Sequence, residues 1–112
     1  MGYQRASVGG VESAVDAETG GMWFLKDALD TDNLGFTVLE LGPGQHGMEH
    51  DHAEDGQEEV YFVVEGEAEV SLDDGTVSLE ADQALRLDPE ETRQLRNPGD
   101  SPVRLVLVGA PR

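Results

Sequence analysis

The stretch Glu59-Val60-Tyr61-Phe62-Val63-Val64-Glu65-Gly66-Glu67-Ala68-Glu69-Val70-Ser71-Leu72-Asp73-Asp74-Gly75-Thr76-Val77-Ser78-Leu79 decides the fold class. Val60 to Val64 is an unbroken run of aromatic and β-branched residues, closed by Glu65-Gly66, and predicts a strand with apolar surface on both faces. Glu67 to Leu72 alternates polar and apolar with period two, as a strand with one buried face does. Asp73-Asp74-Gly75 is a hairpin signal leading into a further strand, Thr76 to Leu79.

The same grammar continues outward. Met22 to Leu25 and Phe36 to Leu41 read as strands, the second ended by Gly42-Pro43-Gly44. Ala84 to Leu87 and Thr92 to Asn97 are short strands around Pro89. Asn97 to Pro102 is a loop, and Val103 to Val108 is the last strand. No amphipathic helix longer than two turns is legible. Short strands with frequent turns predict an all-β sandwich or barrel. Residues 1–112 read as one domain, with 1–21 a less regular N-terminal segment and no internal repeat.

Composition bounds the function. Of 112 residues, 24 are Asp or Glu and 7 are Lys or Arg, a formal charge of −17. Nothing here neutralises a run of phosphates, so no nucleic-acid partner is expected, and no anionic membrane. No stretch approaches the ~18 consecutive apolar residues of a membrane span, and no signal-peptide core follows Met1 to Arg5, so a soluble, cytoplasmic protein is expected. Only 38% of residues are hydrophobic, which also suits a disordered acidic chain, but the strand patterning requires a folded one. Six basic residues are Arg and only Lys26 is Lys, a balance that resembles proteins of salt-accumulating halophiles. At 1 M salt a Debye length of ~3 Å screens the carboxylate repulsion. Without Cys, thiolate metal sites and cysteine nucleophiles are excluded, and any metal site is built from His and carboxylate.

All three histidines lie within seven residues: His46, His50 and His52. In an extended strand, residues two apart share a face at ~6.7 Å, so His50 and His52 can aim two imidazoles at one ion. A carboxylate from a neighbouring strand would complete a face of two His and one acid with open positions, suited to non-haem Fe(II). Candidates abound: Glu49, Asp51, Glu54, Asp55, Glu58 and Glu59.

Here the chain resembles the cupins, specifically the small single-domain type with one conserved barrel. The family's first motif reads Gly, five residues, His-x-His, three or four residues, Glu, six residues, Gly. This chain has Gly44, His50-Asp51-His52, Glu59 and Gly66. Strict counting from His52 selects Gln57. The distance to Gly66 selects Glu59, with Asp55-Gly56 read as a short loop insertion. The second motif maps onto 81–97, where Ala81 and Glu90 stand in place of Gly and Arg93 in place of the fourth ligand, His. Arg has no lone pair to give a cation.

The resemblance implies a cupin-type β-barrel (double-stranded β-helix, or jelly roll) and a divalent ion (Fe, Mn, Zn or Ni) held by His50, His52 and Glu59. It implies a small-molecule ligand, possible dioxygenase, isomerase or lyase activity, and a homodimer. A metal-free binding or sensing barrel is the alternative. His46 shares the parity of His50 and His52 but lies ~13 Å from His50 along a strand, which makes it a substrate-pocket residue rather than a ligand. Tyr61 joins it as a substrate-binding candidate. Parity with Leu95 turns Arg93 inward. There it either clamps an anionic substrate or pairs with Glu59 so that a buried cation replaces the metal. The outer face of Val60 to Val64, with Trp23 and Phe24, is the expected contact with a second subunit.

Overall fold

Strands form where the patterning places them. The computed structural model describes residues 2–112. Its strands are β1 (Gly21–Phe24), β2 (Gly35–Leu41), β3 (Gln57–Glu65), β4 (Glu67–Leu72), β5 (Gly75–Glu80), β6 (Ala84–Leu87), β7 (Arg93–Arg96) and β8 (Val103–Pro111). One helical turn, α1 (Lys26–Leu29), links β1 to β2. Residues 2–20 carry two 3-10 turns, Val8–Gly10 and Ala17–Thr19. This segment is tied to β1 by Ala14 N–H donating to Met22 O at 2.7 Å and Met22 N–H donating to Ser13 Oγ at 3.0 Å.

The strands make two antiparallel sheets facing each other, one of five strands in the order β1-β2-β8-β3-β6 and one of three in the order β5-β4-β7. Alternation aims Leu39, Tyr61, Val63, Leu105 and Leu107 of the larger sheet at Ala68, Val70, Leu79 and Leu95 of the smaller, and all of these are buried. β3 begins three residues before the apolar run. Gln57, Glu58 and Glu59 are polar, yet they pair with Pro111, Ala110 and Gly109 of β8. That extension carries Glu59 into the sheet.

The chain crosses from the larger sheet to the smaller at Gly66, where φ is +86°. A Cβ there would stand 2.5 Å from Pro102 O and 3.0 Å from Val103 Cα, so only glycine fits this corner. The loop after β7 is pinned by buried Asn97. Its Nδ2 donates to Leu41 O at 3.1 Å and Ser101 O at 2.7 Å, and its Oδ1 accepts from Gly99 N–H at 3.0 Å. These bonds satisfy every polar atom of a side chain otherwise costly to bury.

The two outer faces differ in chemistry. The smaller sheet turns Glu69, Ser71, Thr76, Ser78, Gln94 and Arg96 outward. The larger turns out Trp23, Phe36, Val106, Val108, Val60 and Phe62. Val60, Phe62 and Val64 remain 40%, 37% and 45% exposed. Phe24 departs from the expected outer patch: alternation with Trp23 puts it on the opposite side of β1, at the barrel cavity. Among the described residues no helix is long and apolar enough to cross a membrane.

Candidate metal centre

The histidine segment adds a partial strand to the smaller sheet. His50 and Arg93 exchange both backbone bonds, at 3.0 and 2.9 Å, and His52 N–H donates to Pro89 O at 2.8 Å. His46 pairs with Arg96 and His50 with Arg93, so residues 47–49 stand opposite only 94 and 95. That one extra residue is a bulge, and it reverses the side-chain parity across it. His50 therefore shares the inward face of Arg93. His46 takes the face of Arg96 and Gln94, where its Nδ1 lies 3.3 Å from Gln94 Nε2.

His50, His52 and Glu59 come together, each offering a ligand atom within 4.8 Å of the others. The two rings meet edge to face with centroids 5.1 Å apart. His50 Nδ1 lies 3.0 Å from Met48 O, an acceptor, so that nitrogen carries the proton and Nε2 keeps a lone pair. His52 Nδ1 lies 3.1 Å from both Asp55 carboxylate oxygens, and its Nε2 faces Glu59 Oε1 at 3.3 Å. The hydrogen bond from His52 holds the Asp55 carboxyl below its ordinary pKa of 3.8, aided by the Gln57 N–H.

Glu59 is held from behind. Its Oε1 accepts from Arg93 Nη2 at 3.1 Å and from the Tyr61 hydroxyl at 3.4 Å. Gly109 stands opposite in β8, where a Cβ would press on Glu59 Cγ at 3.3 Å. Arg93 is fully buried; Nη1 donates to Glu91 O at 2.6 Å and Asp88 O at 3.4 Å, while Nε has no partner among the described residues. Burial, then the Glu59 charge, pushes the Tyr61 hydroxyl up to about 12 from 10. A raised folded-state pKa means stability is intact below pH 10 and is lost as pH climbs toward 12. The loss should approach ~2–3 kcal/mol and be absent in Tyr61→Phe, as urea unfolding at pH 9 and 11.5 would show.

A cavity of about 510 Å³ opens beside this cluster. Its wall is mainly apolar, with Met22, Phe24, Leu39, Leu41, Leu95 and Leu107 from the strands and Val15 from the N-terminal segment. His50 and Tyr61 join the cavity to the cluster. His46 borders it too, with its ring engaged by Gln94. Arg93 lies behind Glu59 and contributes nothing to the cavity lining.

Of the residues singled out from sequence, His50, His52, Glu59, Arg93 and Tyr61 thus form one connected group, and His46 stands apart from it. Asp55, one of the six nearby carboxylates, stands outside the ligand trio and holds His52 instead. The only signal for it was an acid three residues after a candidate ligand. In the folded loop Asp55 Oδ1 also accepts the Gln57 N–H at 3.3 Å, which fixes the carboxylate toward His52.

The donor set fits a divalent ion. Two imidazoles with Nδ1 tied to acceptors, and one carboxylate, make an N₂O face of borderline hardness. With the His52 proton on Nδ1, Nε2 and Glu59 Oε1 oppose two lone pairs at 3.3 Å, a repulsion that a cation converts into attraction.

Comparison with known proteins agrees with this geometry. Polyketide synthase CurC of Streptomyces cyaneus is 41% identical over 78 residues, covering 70% of this chain and 48% of that protein. The chain thus spans about half the length of that curated relative. The crystal structure of a cupin protein from Bacteroides fragilis superposes with a TM-score of 0.79 at 23% identity, over 99% of this chain and 86% of that one. A sugar phosphate isomerase from a cupin superfamily of Silicibacter pomeroyi gives a TM-score of 0.79 at 21% identity, over 96% and 76%. At these identities the two structures establish the double-stranded β-helix fold alone. Residues 37–109 match the Cupin_2 cupin domain across both motifs and all strands from β3 to β7, and the chain belongs to that family.

Proposed function

We propose that this cupin binds a divalent ion (Fe, Mn, Zn or Ni) through His50, His52 and Glu59, and admits a small, mainly apolar molecule with one acidic oxygen. The observation that carries this reading is the juxtaposition of the three-ligand cluster with an apolar cavity, joined by His50 and Tyr61. The name of the Streptomyces cyaneus relative favours the same ligand chemistry. A polyketide offers enol or phenol oxygens on an apolar body.

A bound ion would supply Lewis acidity that stabilises the anionic form of such an oxygen. Asp55 orients His52, Arg93 and Tyr61 fix Glu59, and the apolar wall excludes water from the head group. The Tyr61 hydroxyl, neutral across the physiological range, donates its one hydrogen bond to Glu59 Oε1 and keeps its oxygen as an acceptor.

Elemental analysis of protein purified without added metal, then loaded, tests the reading. One ion per chain is expected, lost in His50→Ala and bound ~10–100-fold more weakly in Asp55→Asn. No metal under any loading condition overturns it. The Arg93–Glu59 pair at 3.1 Å favours a second reading, a metal-free barrel in which the buried Arg93 neutralises Glu59 in place of an ion and the apolar cavity alone holds the ligand. Ligand binding with no metal present would select it.

The same proposal includes a homodimer through the outer face of the larger sheet, where Val60, Phe62 and Val64 lie exposed in a chain of charge −17. Pairing there removes apolar surface from water and keeps the carboxylates apart. Sedimentation should give twice the 12.1 kDa chain mass and a monomer for Phe62→Glu. A monomeric parent at ~100 μM, a concentration at which even a micromolar dimer is mostly assembled, sinks the idea.

A further inference from the structure

We infer that Arg93 couples the metal to an anionic ligand: its buried guanidinium makes the ion bind weakly alone and tightly only together with an anion. The inference rests on the metal reading above. The guanidinium is fully buried and one hydrogen bond from the only carboxylate of the ligand trio, with Nη2 3.1 Å from Glu59 Oε1. The charge of Glu59 is therefore already matched by Arg93.

Metal-ligating imidazoles are neutral. A divalent ion added between His50, His52 and Glu59 thus brings two positive charges to a site whose carboxylate has a cation beside it. Asp55 touches the trio only through His52, whose Nδ1 it faces at 3.1 Å. The opening toward the cavity offers no carboxylate: its polar lining consists of His50, Tyr61 and His46. The compensating negative charge has to come from the ligand. Metal and anion then raise each other's affinity by the same factor, as linkage requires. Arg93 is a positioning residue in this scheme, since it acts through Glu59 and lies outside the cavity lining.

The probe pair is Co²⁺, read by the visible absorption of histidine-ligated cobalt, and azide, a small monoanion, titrated at constant ionic strength. His52→Ala supplies the blank for surface carboxylates. In the parent, saturating azide should tighten Co²⁺ binding ~10-fold, within the usual range of coupling between sites. In Arg93→Met, Co²⁺ alone should bind ~10-fold more tightly and azide should change its affinity less than ~3-fold. Arg93→Lys, which keeps the charge, should keep the coupling, a result that a purely structural role would not produce. Circular dichroism verifies the fold of each variant; if Arg93→Met does not fold, Arg93→Gln against Arg93→Lys makes the same comparison. Equal Co²⁺ affinity and equal azide effect in parent and neutral variant overturn the coupling and leave the metal reading standing. No cobalt spectrum in the parent, with or without azide, overturns both.

Discussion

Glu59→Leu should destabilise the fold by about 3–5 kcal/mol, the cost of leaving a buried charge without its partner. Arg93 is fully buried, and the remaining acceptors of its guanidinium are the backbone carbonyls of Glu91 and Asp88, which carry no charge. The double variant Glu59→Leu with Arg93→Leu removes both charges and should recover most of that loss, because a buried pair and an apolar pair of similar volume differ little. Urea unfolding of the four proteins closes a double-mutant cycle. A single-variant cost below ~1 kcal/mol would mean that Arg93 is held by its carbonyl contacts alone.

Gly66→Ala should cost about 3–4 kcal/mol, combining ~1–2 kcal/mol for a left-handed alanine with displacement of the backbone it strikes. The added Cβ meets Pro102 O at 2.5 Å, and that oxygen belongs to the chain entering β8, so neither side yields without moving a central strand. Gly44 is the control. Its φ is +75° but nothing lies within 4 Å of where a Cβ would stand, so Gly44→Ala should cost only the backbone share, about 1–2 kcal/mol. Thermal unfolding should separate the two by roughly 5–12 °C for a chain of this size. Equal losses would show that the corner relaxes around the methyl group.

The strands were legible because their signal is local. Alternation over Glu67 to Leu72 and the Asp73-Asp74-Gly75 turn need no partner to be read, and β4 and β5 lie where they predict. Glu59 was legible from its distance to Gly66, since both ends of β3 are fixed by pairing with β8. Arg93 turned inward as the parity of β7 required.

What escaped depends on neighbours far along the chain. The first residues of β3 look like an acidic loop until Ala110 and Gly109 are set beside them. Asp55 reads as one more surface acid until its loop folds back on His52. The facing of His46 follows parity only while the strand is regular, and the extra residue between it and His50 becomes visible only against β7.

That bulge has a consequence for how such a barrel changes over time. With three residues against two between the bridges, loss of any one of residues 47–49 would restore regular pairing and move His46 from the cavity rim, on the face of Gln94, to the inward face of His50. A third imidazole would then face the interior without any substitution of a side chain. The facing of His46 is thus open to change by a single-codon deletion as well as by point mutation.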